Sequence, residues 1–125
     1  MTRINCVPPE ELHGKHLVAE YRELPRVFSL VKAAMARGEK AVDSGSPTEY
    51  ILGKGHVRFF YDKCLWLLRR QQSLIREMRS RGMNPKFEYP NDLVQGIDAE
   101  WMGDWEPTED DMALNRARIM DRMPK

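Results

Sequence analysis

The chain has 125 residues, 42% of them apolar, which is enough for one hydrophobic core and too few for two ordinary domains, so a single domain over residues 1–125 is expected. No apolar run approaches the length needed to cross a bilayer, and the opening MTRINCVPPEEL lacks the basic start and apolar stretch of a secretory signal; a soluble, cytoplasmic protein with no membrane contact is expected. The net charge of +1 conceals an asymmetry, because residues 1–86 hold 16 Lys and Arg against 9 Asp and Glu whereas residues 87–125 hold 4 against 10. A basic body followed by an acidic segment fits a polyanion held against one face, although charge runs are usually solvated surface.

In chain order, the first pattern follows the Pro8-Pro9 turn. Leu17, Tyr21, Leu24, Phe28, Val31 and Met35 recur at steps of four and three, which predicts a helix with one apolar stripe and a natural stop at Gly38. Pro25 lies inside that stripe, where it removes a hydrogen bond and presses on the carbonyl of Tyr21 at a cost of about 3 kcal/mol, so a kink is expected. The opposite face carries Lys15, Ala19, Arg22, Glu23 and Arg26, with His16 at its border.

Residues 40–55, rich in Gly, Ser and Pro, read as a loop. From His56 the positions Val57, Phe60, Cys64, Leu67, Leu68, Leu74, Ile75 and Met78 predict a second amphipathic helix ending before Gly82, with Arg69, Arg70, Arg76 and Arg79 on its outer face. Residues 84–107 lose the pattern; Pro and Gly punctuate them, and Tyr89, Trp101 and Trp105 are the large anchors of a wrap over the core. A third helix begins after Thr108, a good N-cap, with Glu109, Asp110 and Asp111 in its first turn and Arg116, Arg118 and Arg122 towards its end, an order that suits the helix dipole. No convincing strand and no repeat is found, so the fold class expected is all-α, three main helices with irregular connections.

The chemistry-bearing residues are few. Cys6 and Cys64 lie outside any CxxC pattern and read as buried thiols, with neither a disulfide nor a metal assigned. His13 and His16 with Cys6 would give three metal ligands and no fourth, so no metal is expected. A second residue as small as Thr permits removal of the initiator Met, which would expose the α-amine of Thr2. Such an amine has a pKa of about 7.7 to 8.0 against roughly 10.4 for lysine, so at neutral pH far more of it is nucleophilic and able to form an imine with a sugar. Glu23, between Arg22 and Arg26 and beside His16, is the carboxylate that could handle protons and stabilise developing positive charge; the alternative is a surface group in local ion pairs.

MTRIN at residues 1–5, HLVAEYRELPRVF at 16–28 and ILGKGHVRFFYDK at 51–63, followed less closely by RGMNPK at 81–86 and GDW-x-P at 103–107, resemble the bacteriophage endonuclease V family of pyrimidine-dimer DNA glycosylases. The resemblance is collinear and covers nearly the whole chain. It implies a compact three-helix enzyme in which the amine of Thr2 meets Glu23 at the DNA surface. The amine attacks the sugar of a cyclobutane pyrimidine dimer, releases the glycosidic bond, forms an imine and nicks the strand by β-elimination. DNA contacts implied by the resemblance fall on Arg3, His16, Arg22 and Arg26, with Arg118 and Arg122 on the third helix and Lys86 as a lesser phosphate contact; Arg118 and Arg122 also suit neutralisation of a helix C-terminus. The implied partner is double-stranded DNA containing pyrimidine dimers or abasic sites, bound by a monomer near the nucleoid, and extrusion of a base costs a few kcal/mol, less at a damaged pair. No cofactor is required for imine chemistry, and GKG at 53–55 is too short for a phosphate-cradling loop.

Phage relatives carry an aromatic-rich tail where this sequence ends in RMPK, which leaves lesion range more open than reaction type. Trp101 and Trp105 are alternatives for stacking, or else core plugs. Two other readings stand beside the enzyme: a non-catalytic helical module that binds distorted DNA, and a related glycosylase and lyase with another base-lesion preference. A helical adaptor using the charge split leaves Thr2, Glu23, Arg22 and Arg26 unexplained.

Overall fold

A computed structural model describes residues 3–43, 47–86 and 90–122, and among these the fold is all-α. Helices α1 (Gly14–Glu23) and α2 (Pro25–Ala36) form the first helical run, α3 (His56–Phe59) and α4 (Cys64–Ser80) the second, and α5 (Glu109–Asp121) the third. Short 3-10 turns at Pro9–Glu11, Ala41–Asp43, Pro90–Val94 and Ala99–Trp101 punctuate the connections. No helix among the described residues is long and apolar enough to cross a membrane.

The apolar stripe of the first run is the core: Leu17, Tyr21, Leu24, Phe28 and Val31 are buried, with Met35 packed at the edge. The expected kink falls at Pro25, which starts α2 while Leu24 keeps helical angles (φ −55°, ψ −42°). Proline has no N–H to give the Tyr21 carbonyl, and a buried carbonyl left unpaired is costly. The buried Gln71 of α4 supplies the missing donor, its Nε2 lying 3.1 Å from Tyr21 O. The break is thus stitched to the neighbouring helix, and it falls just after the turn that carries Arg22 and Glu23.

The second run, expected to be continuous from His56, is interrupted at residues 60–63. Here the chain turns to meet the wrap: Gly103 donates its N–H to Asp62 O (3.0 Å), and Lys63 bridges Met102. Lys63 then returns its Nζ to the Phe59 carbonyl (2.9 Å), closing the end of α3. Gly103 has no substitute at this approach, because any Cβ would collide with the Asp62 carbonyl oxygen. Of the anchors expected in the wrap, Trp101 is fully buried, and Trp105 stacks on Tyr50 (5.6 Å between ring centroids, 21° between planes) and meets Phe59, Phe60 and Trp66 edge-on. Both tryptophans therefore plug the core. Tyr89 lies outside the described residues.

Helix α5 starts as its sequence predicts. Thr108 Oγ1 accepts from the Asp111 N–H (3.1 Å) and the Asp111 carboxylate accepts from the Thr108 N–H (2.9 Å), a reciprocal cap. Its attachment to the body is unusual for a surface helix: Asn115 is its one buried residue, with Met112 and Ile119 only partly covered.

Candidate active site

Residues 3–7 run without secondary structure through the interior, and Ile4, Asn5, Cys6 and Val7 are all buried. Buried backbone groups need partners, and here side chains from five other parts of the chain provide them. Arg3 N–H donates to Glu23 Oε2 at the end of α1 (3.2 Å), Ile4 N–H to His56 Nε2 at the start of α3 (2.9 Å), and Cys6 and Val7 N–H to Asn115 Oδ1 of α5 (2.7 and 3.2 Å). The Ile4 carbonyl accepts from Tyr50 Oη (3.3 Å), and the Val7 carbonyl from Arg70 Nη1 (2.6 Å).

Each supporter is itself fixed. His56 donates Nδ1–H to the Ile51 carbonyl (2.8 Å), which leaves Nε2 as the acceptor that Ile4 requires. Burial pushes the His56 pKa below its usual value, in keeping with a neutral ring. Gly55 makes the sharp entry into α3 at φ 91°, where a Cβ would press on Ile51 and Pro47, so the GKG turn serves to place His56. Tyr50, in the loop expected between the first two runs, is itself buried, and burial drives its hydroxyl far above the usual range.

Below the segment lies a buried ion pair. Arg70 grips Glu20 with two nitrogens (Nε to Oε2 2.7 Å, Nη2 to Oε1 3.0 Å), and Asn5 Nδ2 donates to Glu20 Oε1 (2.9 Å). Both side chains are almost completely enclosed, at 6% and 1% exposure, and a pair removed from water is tolerated only when its remaining capacity is also used, as it is here. This corrects the placement of Arg70 on the outer face of the second helix: it faces inward to Glu20 while Arg69, its neighbour, pairs with Asp104 at the surface (2.7 Å). A sequence signal existed. Glu20 has Leu17 and Leu24 three before and four after it, Arg70 has Leu67 and Leu74, and Asn115 has Met112 and Ile119, so each polar residue stands inside an apolar stripe.

Where the segment emerges beside α1, a cavity of about 120 Å³ is lined by Arg3, Asn5, His16, Ala19, Glu20, Glu23 and Ile119. A cavity of about 150 Å³ admits a benzene ring, so this hollow is on the scale of a single small ring such as a sugar. The structure therefore brings Arg3, His16 and Glu23 together. Thr2 lies outside the described residues and is joined to Arg3 by a peptide bond. His16 Nε2 donates to the Arg122 carbonyl (3.2 Å), while its Nδ1 and Arg118 Nε are shielded from solvent without a hydrogen-bond partner among the described residues. The pKa of Arg3 is lowered by burial first and then by the charges of Arg118 and Arg122, with Glu23 acting the other way. His13 caps α1 through Nδ1, and the thiols of Cys6 and Cys64 are free, buried and raised by burial to about 11 and about 12.

The arginines divide by use. Arg37, Arg58, Arg69, Arg70, Arg81 and Arg116 are each held by a carboxylate. Arg3, Arg22, Arg26, Arg118 and Arg122, together with Arg76 on α4, form no ion pair within 4.0 Å among the described residues. Arg22, Arg26 and Arg122 are exposed, and Arg3 and Arg118 are half-buried beside one another's charges. Lys86 is exposed just beyond α4 and does not line the cavity.

Arg3, Arg118 and Arg122, without ion pairs among the described residues, lie near Glu23 and a small hollow on an all-α frame, an arrangement that fits a helical protein holding a polyanion. The sequence profile of the pyrimidine dimer DNA glycosylases matches residues 1–91, and the chain belongs to that family. It is a DNA-repair glycosylase, and DNA is the polyanion. The match takes in the buried segment and α1 to α4; α5, with Asn115, Arg118 and Arg122, follows it.

Proposed function

We propose that the protein excises pyrimidine dimers from duplex DNA and then nicks the strand as an abasic-site lyase, with the α-amine of Thr2, freed by loss of Met1, as nucleophile and Glu23 as the acid-base group. The observation that carries this reading is the hydrogen bond from Arg3 N–H to Glu23 Oε2, which ties the chain one residue after Thr2 to the carboxylate at a sugar-sized cavity. The amine nitrogen attacks C1′ of the damaged nucleotide and the base departs with the glycosidic electron pair. Loss of a proton from nitrogen and opening of the C1′–O4′ bond give the protonated imine, the ring oxygen taking up a proton. Removal of a C2′ proton then expels the 3′ phosphate and breaks the strand. Glu23 receives and returns these protons and offsets the positive charge that builds on the sugar.

Arg3, His16, Arg22, Arg26, Arg118 and Arg122 hold phosphates on either side, with Lys86 a more distant contact. Arg118 Nε, shielded and without a partner among the described residues, fits donation to an anionic oxygen, and His16 Nδ1, whose ring already donates through Nε2, fits acceptance of a hydrogen bond from a phosphate-bound water. Affinity then falls steeply as salt is raised. The protein acts as a monomer.

Borohydride reduction in the presence of a duplex carrying one thymine dimer, or one abasic site, tests the mechanism. The expected result is a covalent protein–DNA adduct on both, absent when the amino terminus is blocked. Tight, salt-sensitive binding with no adduct on either duplex would instead leave a glycosylase that uses water, or a module that only binds distorted DNA.

A further inference from the structure

We infer that Asn115 is a positioning residue that couples the DNA-gripping helix α5 to the segment carrying the nucleophile; this rests on the reading of Thr2 and Glu23 above. Three observations meet at this side chain. It is fully enclosed and is the one buried residue of α5. It makes three hydrogen bonds, all to the amino-terminal segment: Oδ1 accepts from Cys6 and Val7 N–H, and Nδ2 donates to Asn5 Oδ1 at 2.8 Å. It lies one turn before Arg118 and two before Arg122, the cations whose charges reach Arg3.

A relay follows from these contacts. Asn5 passes the connection to Glu20 Oε1, and Glu20 stands one turn before Glu23 on α1. Two arginines that hold phosphate, the segment leading to the amine, and the helix bearing the carboxylate are thus joined through Asn115, Asn5 and Glu20. Apolar contacts alone would let α5 slide, since they are non-directional. Hydrogen bonds from one buried amide to consecutive peptide N–H groups fix a single register. Placement of a reacting group to within about 1 Å is worth up to about a hundredfold in rate, so a side chain that sets register acts on the chemical step without touching substrate.

The test compares wild type, Asn115→Leu and Asn115→Asp on an abasic-site duplex, below the melting transition of each protein as followed by circular dichroism. Leucine keeps the volume and removes all three hydrogen bonds; aspartate keeps the acceptor for Cys6 and Val7. The readouts are the single-turnover rate of imine formation at saturating DNA, by borohydride quench, and the Kd by fluorescence anisotropy. The expected result is a rate lowered by about tenfold or more in Asn115→Leu, a Kd changed by less than about threefold, and substantial recovery of the rate in Asn115→Asp. If Asn115→Leu proves unfolded, the aspartate variant against wild type carries the comparison, with a smaller loss of rate at unchanged Kd expected. Unchanged rates with only a lower melting temperature, or rate and affinity falling together, would overturn the coupling. Failure of wild type to form an imine would overturn the underlying reading, and that outcome is seen before any variant is compared.

Discussion

Two largely irregular stretches complete this protein, one threaded through its interior and one laid over it, and they are held in different ways. Residues 3–7 are fastened by polar groups: the buried His56, Asn115 and Arg70 and the half-buried Glu23 take particular backbone atoms. The wrap over residues 90–107 is fastened chiefly by bulk, through Trp101 in the core and Trp105 among Tyr50, Phe59, Phe60 and Trp66, with the backbone hydrogen bond from Gly103 to Asp62 as a tie between them. Packing of large rings stabilises and tolerates small shifts; directional hydrogen bonds in a low-dielectric interior specify a register. On the proposed mechanism, the second kind of fastening lies where chemistry needs an atom in one place, and the first where a cover suffices.

The comparison is sharpened most by the group at the end of the polar segment. Glu23→Gln is expected to lower the imine-forming rate by about 10² to 10⁴-fold, the range for a lost acid-base group, with DNA binding retained; the quench assay with anisotropy measures both. Next come a matched pair of variants, one from each stretch. Arg70→Ala strands the enclosed Glu20 and should cost about 3–5 kcal/mol, and Trp101→Ala should cost a similar 3–5 kcal/mol through its cavity, both by denaturant unfolding. At a temperature where both variants remain folded, only Arg70→Ala should also slow imine formation, because only it releases the Val7 carbonyl and Glu20.

A smaller effect concerns pH. The His56 pKa is depressed below 6.5 in the folded protein, so in the window beneath 6.5 the unfolded chain binds the extra proton. Stability from the Ile4 contact is present above that window and is lost as pH falls through it. The melting temperature should decline on acidification from neutrality, and His56→Gln should flatten that part of the slope. Least of all, Arg116→Ala, which removes the exposed pair with Glu11 between α5 and the chain start, should leave the melting temperature unchanged within error, in contrast to any change at Asn115 on the same helix.

Much of this arrangement was legible in the residues because the signals are local. The stripe from Leu17 to Met35, the break at Pro25 and the Thr108 cap each rest on neighbours within a few positions, whereas Glu23 among Arg22, Arg26 and His16 also read as a surface carboxylate in local ion pairs and gained weight only from the family resemblance. The interruption after Phe59 was not, since its cause is Gly103 meeting Asp62 across 41 positions of sequence. The supports of residues 3–7 were missed for the same reason: Glu20 meets Arg70 50 residues away, and Asn5 meets Asn115 110 residues away. What local reading did offer was three polar residues set inside apolar stripes, a pattern that signals buried partners without naming them.

The most direct test of the central claim is the identity of the protein atom bonded to DNA. After borohydride reduction on a thymine-dimer duplex, proteolysis and mass spectrometry locate the sugar remnant. An amino-terminal peptide lacking Met1 and modified on the nitrogen of Thr2 is the result expected here. A remnant on a lysine, Lys15 or Lys86 for example, with the amino terminus unmodified, would contradict it and move the nucleophile away from the segment that the buried hydrogen bonds hold in place.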